Sequence, residues 1–211
     1  MTELTCDISM SLDGFVAGPD PTLEQPLGEG GDRLHQWAYD LETWREPHGL
    51  SGGTSGNPDA EIMAETVARA GATIMGRRMF GGGDGPWDES WRGWWGEEPP
   101  FHHPVFVLTH HPREPLAMEG TTFTFVTDGI ESALEQARAA AAGRDVAVGG
   151  GAEIIQQYLR AGLLDELQVH VAPILLGGGT RLFDGGGPAS LEIVRTVESP
   201  AVTHIRYRVV R

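Results

Sequence analysis

Short apolar runs alternate along this chain with stretches of helical spacing, and glycine marks most of the junctions between them. Residues 3–10 alternate with period two and put Leu4, Cys6, Ile8 and Met10 on one face, which predicts a strand. Residues 11–18 read as a turn and then a loop, and 19–31, rich in Pro, Gly and acid, as a surface loop. Leu34, Trp37, Ala38 and Leu41 share a helical face and predict one short helix over 32–44. After a Gly/Ser/Thr loop at 50–56, Asn57-Pro58-Asp59 combines a capping side chain, a proline at the first helical position and an acid in the first turn. The helix it starts runs to about Ala70, with Gly71 expected to close it. A strand over 72–75 ends in Gly76-Arg77-Arg78-Met79-Phe80. The stretch 81–104 has no element of its own and carries Trp87, Trp91, Trp94 and Trp95, a length that marks a functional loop or an interface. Strands follow at 105–108 and 123–126, then a helix opened by an Asp128–Glu131 capping box and ending near Gly143. A strand from 145 meets the glycines at 149–151, a helix runs to Gly162, and strands follow at 167–174, 191–197 and 202–210. Strands alternating with helices predict an α/β sheet with parallel pairing, completed by antiparallel strands at the helix-poor C-terminus. Neither a repeat nor a linker divides residues 1–211, so one domain is expected.

Val148-Gly149-Gly150-Gly151-Ala152-Glu153-Ile154-Ile155 joins an apolar run directly to a helix start. Glycine lets a ligand come close to the backbone. The helix start aims free N–H groups and the positive end of its dipole at that ligand. A phosphate or pyrophosphate suits the place, although the spacing is not G-x-G-x-x-G and a plain connection fits it as well. Two other predicted strand ends carry matching chemistry. Gly76, Arg77 and Arg78 offer a close approach and two guanidinium groups, and Thr109, His110 and His111 offer a hydroxyl and two imidazoles. Ligands of open α/β sheets bind beyond the carboxyl ends of the strands. Grouped there, these residues would grip a dinucleotide, and Arg77 or Arg78 with Thr109 would select a 2′-phosphate, favouring NADPH over NADH. This requires the strand ends to share one side of the molecule with an open crevice between them. Plainer roles compete: paired arginines as a solvated strand end, Thr109 as a turn cap. His110-His111 and His102-His103 lack the cysteine or acid that would complete a ligand set, so no metal is expected.

Composition narrows the chemistry further. The chain has 211 residues, 40% of them apolar, enough for one full core. A net charge of −15 repels nucleic acid and anionic membranes, so an anionic ligand must be held by local cations in a cleft. All 15 basic residues are arginine, which excludes lysine Schiff-base chemistry and leaves phosphate binding to guanidinium groups. Cys6 stands alone and reads as a small buried apolar residue. No leader pattern and no apolar run near the ~20 residues of a membrane span is visible, so a soluble, cytoplasmic protein is expected.

The chain resembles the dihydrofolate reductase-like superfamily, in the branch that contains the reductase domain of the riboflavin-biosynthesis deaminase-reductase. The matching stretches are Ile8-Ser9-Met10-Ser11-Leu12-Asp13-Gly14-Phe15-Val16-Ala17, Ile74-Met75-Gly76-Arg77-Arg78-Met79-Phe80, Val105-Phe106-Val107-Leu108-Thr109, Val148-Gly149-Gly150-Gly151, Leu163-Leu164-Asp165-Glu166-Leu167 and Val171-Ala172-Pro173-Ile174-Leu175-Leu176-Gly177. The resemblance implies a three-layer α/β/α fold, an NADPH site and hydride transfer to a small heterocyclic substrate of pterin or pyrimidine type. By the same resemblance Gly76, Arg77 and Arg78 bind the adenosine-side phosphates, with Thr109 and His110 beside the 2′-phosphate. Gly149, Gly150, Gly151, Ala152, Glu153 and Ile154 form the pyrophosphate turn, Met10 and Ala17 wall the nicotinamide, and Thr180 adds a cofactor contact. It also implies a homodimer. A proton for the reduced substrate would come through a carboxylate or an ordered water. Asp13 is the first candidate, with a competing role in holding its turn, and Asp32 is the second, with a competing role as a helix-start acid. The acid that these reductases carry just before the glycine turn is absent at Ala147, Val148 and Gly149. A catalytically silent nucleotide-binding module on the same fold is therefore the rival expectation.

Overall fold

The computed structural model describes residues 2–22, 24–184 and 187–210. In chain order its strands and α-helices are β1 (Leu4–Ser11), β2 (Phe15–Ala17), α1 (Gln36–Tyr39), α2 (Glu42–Arg45), α3 (Pro58–Arg69), β3 (Ala70–Gly76), α4 (Arg77–Phe80) and β4 (Val105–Leu108). They continue with β5 (Leu116–Met118), β6 (Thr121–Val126), α5 (Ile130–Ala140), β7 (Asp145–Gly150), α6 (Ala152–Arg160), β8 (Glu166–Ala172), β9 (Thr180–Arg181), β10 (Ser190–Glu198) and β11 (Thr203–Val210). One nine-stranded sheet has the order β10-β11-β8-β1-β7-β3-β4-β6-β5, and β2 and β9 form a separate ribbon. From β8 through β1, β7, β3 and β4 to β6 the neighbours are parallel, so their carboxyl ends share one edge. β11 pairs antiparallel with β8 and β10 antiparallel with β11, as the helix-poor C-terminus predicted. The short β5, antiparallel to β6 at the far edge, has no counterpart in the sequence reading, nor does the β2–β9 ribbon, whose β2 lies in the stretch expected to be a loop.

Alternation along β3 and β4 divides the molecule into layers. Ile74 and Phe106 face the main core with Ala133, Leu134 and Ala137 of α5 and Ile155 and Tyr158 of α6. Met75, Val105 and Val107 face the other way, against Phe80, Phe123 and the tryptophans of 81–104. α1 and α3 cover the rest of that second side through Trp37, Ala38, Leu41 and Ala60. The result is the expected three-layer mixed α/β fold.

Local chemistry and structure agree at Asn57, whose side-chain oxygen accepts from the Ala60 N–H at 2.7 Å. They part at 32–44. That stretch is a 3₁₀ turn (Gly31–His35) followed by α1 and α2, not one helix. Thr54 N–H donates to Asp40 O and Glu42 N–H to Thr54 O, so the neighbouring loop takes the backbone groups a continuous helix would use. Leu41 is accordingly extended between the two helices. The Asp128 capping box does not form either: the cap of α5 is Gly129, at φ 93, and no side chain bonds there. Gly71 lies inside β3 instead of closing α3. A Cβ on it would run into the Ala141 carbonyl at the end of α5.

Candidate cofactor and substrate site

β7, β3 and β4 are adjacent and parallel, with Met75 opposite Gly150 and Gly76 opposite Leu108. The three predicted strand ends therefore meet on one edge. Gly150 has φ +127, a conformation that suits glycine, and the Gly150–Gly151 peptide is cis. Gly151 caps α6 with its carbonyl, which accepts from Ile154 and Ile155 N–H, and nothing lies within 4 Å of where its Cβ would be. Glu153 faces solvent beside this open turn, whereas Ala152 and Ile154 turn into the core. Gly76 has a packing role of its own: a Cβ there would stand 3.0 Å from Ile154 Cγ1, so its absence lets α6 start against the end of β3.

The two arginines part company. Arg78 is 80% exposed and reaches Asp84 at 3.5 Å. Arg77 is 9% exposed, donates from Nη2 to Gly85 O at 2.5 Å and stacks 3.7 Å from the centroid of Trp87. Burial lowers its pKa, the Asp84 charge opposes that, and Arg113 lowers it further. Thr109 is buried and makes a turn, its Oγ1 accepting from His111 N–H at 3.1 Å, while His110 is exposed. Trp87 donates from Nε1 to His111 O at 2.8 Å. Its indole thus spans the ends of β3 and β4, so the crevice expected to be open is filled there by a packed side chain. Met79 lies over the glycine turn, its Sδ 3.3 Å from where a Gly150 Cβ would be.

A second group forms at the ends of β1 and β8. Ala17 pairs with Thr180 in the β2–β9 ribbon, and Met10 pairs with Val171 nearby. Asp13 holds this corner together. Its carboxylate accepts from Ser11 Oγ at 2.6 Å and from the Leu176 and Gly177 N–H groups at 3.1 and 2.8 Å. The Ser11 hydroxyl, with those amides, outweighs the opposing burial effect and lowers its pKa to about 2. Of the two roles weighed for Asp13, the turn-holding one is made, and the carboxyl stays ionised at neutral pH. Asp32 is exposed on the 3₁₀ turn before α1.

Beside that turn lies a cavity of about 230 Å³ bounded by Arg33, Gln36, Trp37, Ala172, Pro173, Ile174 and Ala201. Under Trp37 runs a buried polar chain that sequence reasoning missed. Asp7 bonds His170 Nε2 at 2.7 Å, His170 Nδ1 meets His204 Nδ1 at 2.6 Å, and His204 Nε2 bonds Asp59 at 2.9 Å. The central contact needs one proton between the two nitrogens, and each outer N–H donates to a carboxylate. Burial raises the Asp7 pKa, but His170, Thr66 and Gln168 outweigh it and hold the carboxyl low. Burial depresses His204, against the pull of Asp59. Trp37 tiles both rings at 4.7 and 5.1 Å and donates to Ser9 Oγ at 3.0 Å. Only the pairing of His204 opposite His170 in adjacent strands could have revealed the chain.

A family model described as the RibD C-terminal domain matches residues 2–205. Comparison with curated proteins returned no match. Among solved structures, a protein of Shewanella sp. PV-4 described as a riboflavin biosynthesis protein aligns over 100% of both chains, with TM-score 0.64 and 20% identity. A diaminohydroxyphosphoribosylaminopyrimidine deaminase/5-amino-6-(5-phosphoribosylamino)uracil reductase of Thermotoga maritima aligns with TM-score 0.56 and 14% identity, over 99% of this chain and 57% of its own. The riboflavin biosynthesis reductase of Saccharomyces cerevisiae aligns with TM-score 0.50 and 16% identity, over 100% of this chain and 89% of its own. At these identities the likeness is one of fold.

Proposed function

Because this chain belongs to the RibD C-terminal domain family, we propose that it is an NADPH-dependent reductase that delivers a hydride to a small heterocyclic substrate of pyrimidine or pterin type. One observation carries the reading: the glycine turn, open at Gly151 where α6 starts, and buried Arg77 stand along a single edge of a parallel sheet, with the Ala17–Thr180 pair of the separate ribbon next to the end of β1. Gly149, Gly150 and Gly151, with the first N–H groups of α6, would take the pyrophosphate. Gly76, Arg77, Thr109 and His110 would face the adenosine end, with Arg78 turned to solvent beside them, and Met10, Ala17 and Thr180 would border the nicotinamide. The cofactor supplies the hydride, and the chain orients the partners and excludes water. Asp13 positions the turn, and the proton would come from Asp32 or from an ordered water. The cavity beside Trp37 would receive the flat substrate ring. The reading includes a cytoplasmic location and a homodimer.

The test is titration of the protein with NADPH and NADH, read by cofactor fluorescence and thermal melting. Binding of NADPH with a rise in melting temperature is expected, and no change at millimolar cofactor rejects the reading. Arg77→Ala should weaken NADPH roughly tenfold more than NADH, and equal losses would reject the 2′-phosphate role. Trp87, packed between the ends of β3 and β4, favours a second reading, a silent nucleotide-binding module. Bound NADPH that no pterin, pyrimidine or quinone-like acceptor oxidises would decide for it.

A further inference from the structure

Arg77 and Arg113 follow the ends of adjacent strands, β3 and β4. Arg77 is 9% exposed, and the Arg113 side chain 3%. Both guanidinium groups lie against the same indole, 3.7 and 5.1 Å from the Trp87 centroid. Phe80 and Phe125 complete an aromatic wall around Arg113 at 5.9 and 5.1 Å. Arg113 Nη2 donates to the carbonyls of Glu89 at 3.1 Å and Trp91 at 2.7 Å, and Nε meets the largely exposed Glu89 carboxylate at 3.3 Å. Arg77 donates only to Gly85 O. Nε and Nη1 of Arg77 and Nη1 of Arg113 are buried with no partner.

Buried N–H groups of a cation are costly when unpaired, and two like charges brought together out of water repel. The aromatic faces offset part of this but accept no N–H bond in the guanidinium plane. Of the nearby carboxylates, Glu89 meets Arg113 Nε, while Asp84 acts on Arg77 and Asp88 on Arg113 through their charge alone, so none contacts both cations. What the arrangement lacks is an anion that answers both. Arg78, by contrast, points to solvent and has an acid of its own.

We propose that a phosphate monoester dianion binds between Arg77 and Arg113 against Trp87, and that Arg113, not Arg78, is the second guanidinium of this site. The entering oxygens replace the Gly85 carbonyl on Arg77 and meet the unpaired N–H groups of both side chains. The proposal rests on the reductase reading only for the source of the phosphate, which is either the 2′-phosphate of NADPH or free phosphate.

The experiment titrates wild type, Arg113→Gln, Arg77→Gln and Arg78→Gln with 2′,5′-ADP, NADPH and NADH by calorimetry. Both Arg113→Gln and Arg77→Gln should weaken 2′,5′-ADP and NADPH at least about tenfold, with NADH and all Arg78→Gln values within about threefold of wild type. Wild-type affinity for 2′,5′-ADP in Arg113→Gln, or an equal loss in Arg78→Gln, overturns the proposal. Should Arg113→Gln fail to fold, Arg113→Lys decides, since it keeps the charge but loses the fork and should show the same loss. If wild type binds neither dinucleotide, the reductase reading falls and inorganic phosphate judges the site separately. A melting rise in tens of millimolar phosphate, above a chloride control of equal ionic strength and absent in Arg113→Gln, supports the site, and no such rise overturns it.

Discussion

His35 turns a ring nitrogen, Nδ1, into the protein without a partner. Burial, with His170 adding repulsion against the opposing pull of Asp32 and Asp7, pushes its pKa down to about 4. Burial, then Arg144 and His102, does the same to His103, again to about 4. An unfolded histidine takes its proton near pH ~6.5. Both groups are thus depressed on folding, and their contribution is fully present above that pH and lost as pH falls toward 4. Melting temperature should drop across this window. His35→Phe should make the drop shallower, and a melting profile of unchanged slope would count against the assignment. The His170–His204 contact makes a separate prediction. His204→Phe leaves Asp59 and the His170 Nδ1 buried without their partner. It should cost about 2–4 kcal/mol, read as a lower urea midpoint. A loss no larger than that of an exposed substitution would mean that the chain is solvated.

Between elements, close approaches decide more than propensity does. The break between α1 and α2 follows from two backbone bonds to Thr54, which a helical period cannot anticipate. Where α5 ends, the backbone at Ala141 presses on Gly71 of β3 and leaves no room for a methyl group. Gly71→Ala should therefore destabilise the protein by about 1–3 kcal/mol in chemical denaturation. Gly49→Ala is the contrast for steric crowding: its Cβ meets nothing within 4 Å, so its cost comes from its φ of +69 alone. A loss at Gly71 well below about 1 kcal/mol would show that the end of α5 gives way to the added methyl group. The long tryptophan loop is read in the same way. Trp87, Trp91 and Trp95 pack on Phe80 and the second face of the sheet, so they serve as a covering layer over β3, β4 and β6.

At the scale of the molecule, the sheet has an uncovered end. β10 is the edge strand, and Leu191, Ile193 and Val194 on it are 37%, 69% and 48% exposed, with Val210 of β11 at 39%. An exposed apolar edge of this kind invites another chain, and a second copy would place this apolar surface in the proposed dimer. Each copy brings a net charge of −15, so association should weaken as salt is removed. Sedimentation should give a dimer at physiological ionic strength that shifts toward monomer at low salt, and Ile193→Lys should favour monomer at any salt. A wild-type monomer at tens of micromolar would reject the pairing. Among the described residues no helix is long and apolar enough to cross a membrane. The eight longer strands, the Asn57 cap and the glycine turn at 149–151 were legible from local pattern alone, because backbone propensity, hydrophobic period and glycine's freedom act over a few residues; the short β2, β5 and β9 were not. Parallel pairing then followed from strand–helix alternation, and with it the gathering of strand ends on one edge. What pattern could not settle was which side chains meet there: that Arg113 and not Arg78 joins Arg77, that Trp87 fills the space between β3 and β4, that Asp13 is bound to Leu176 and Gly177, and that His170 finds His204. Those contacts join residues far apart along the chain, and burial and charge at each depend on strand register and loop closure, which exist only once the whole sheet has formed.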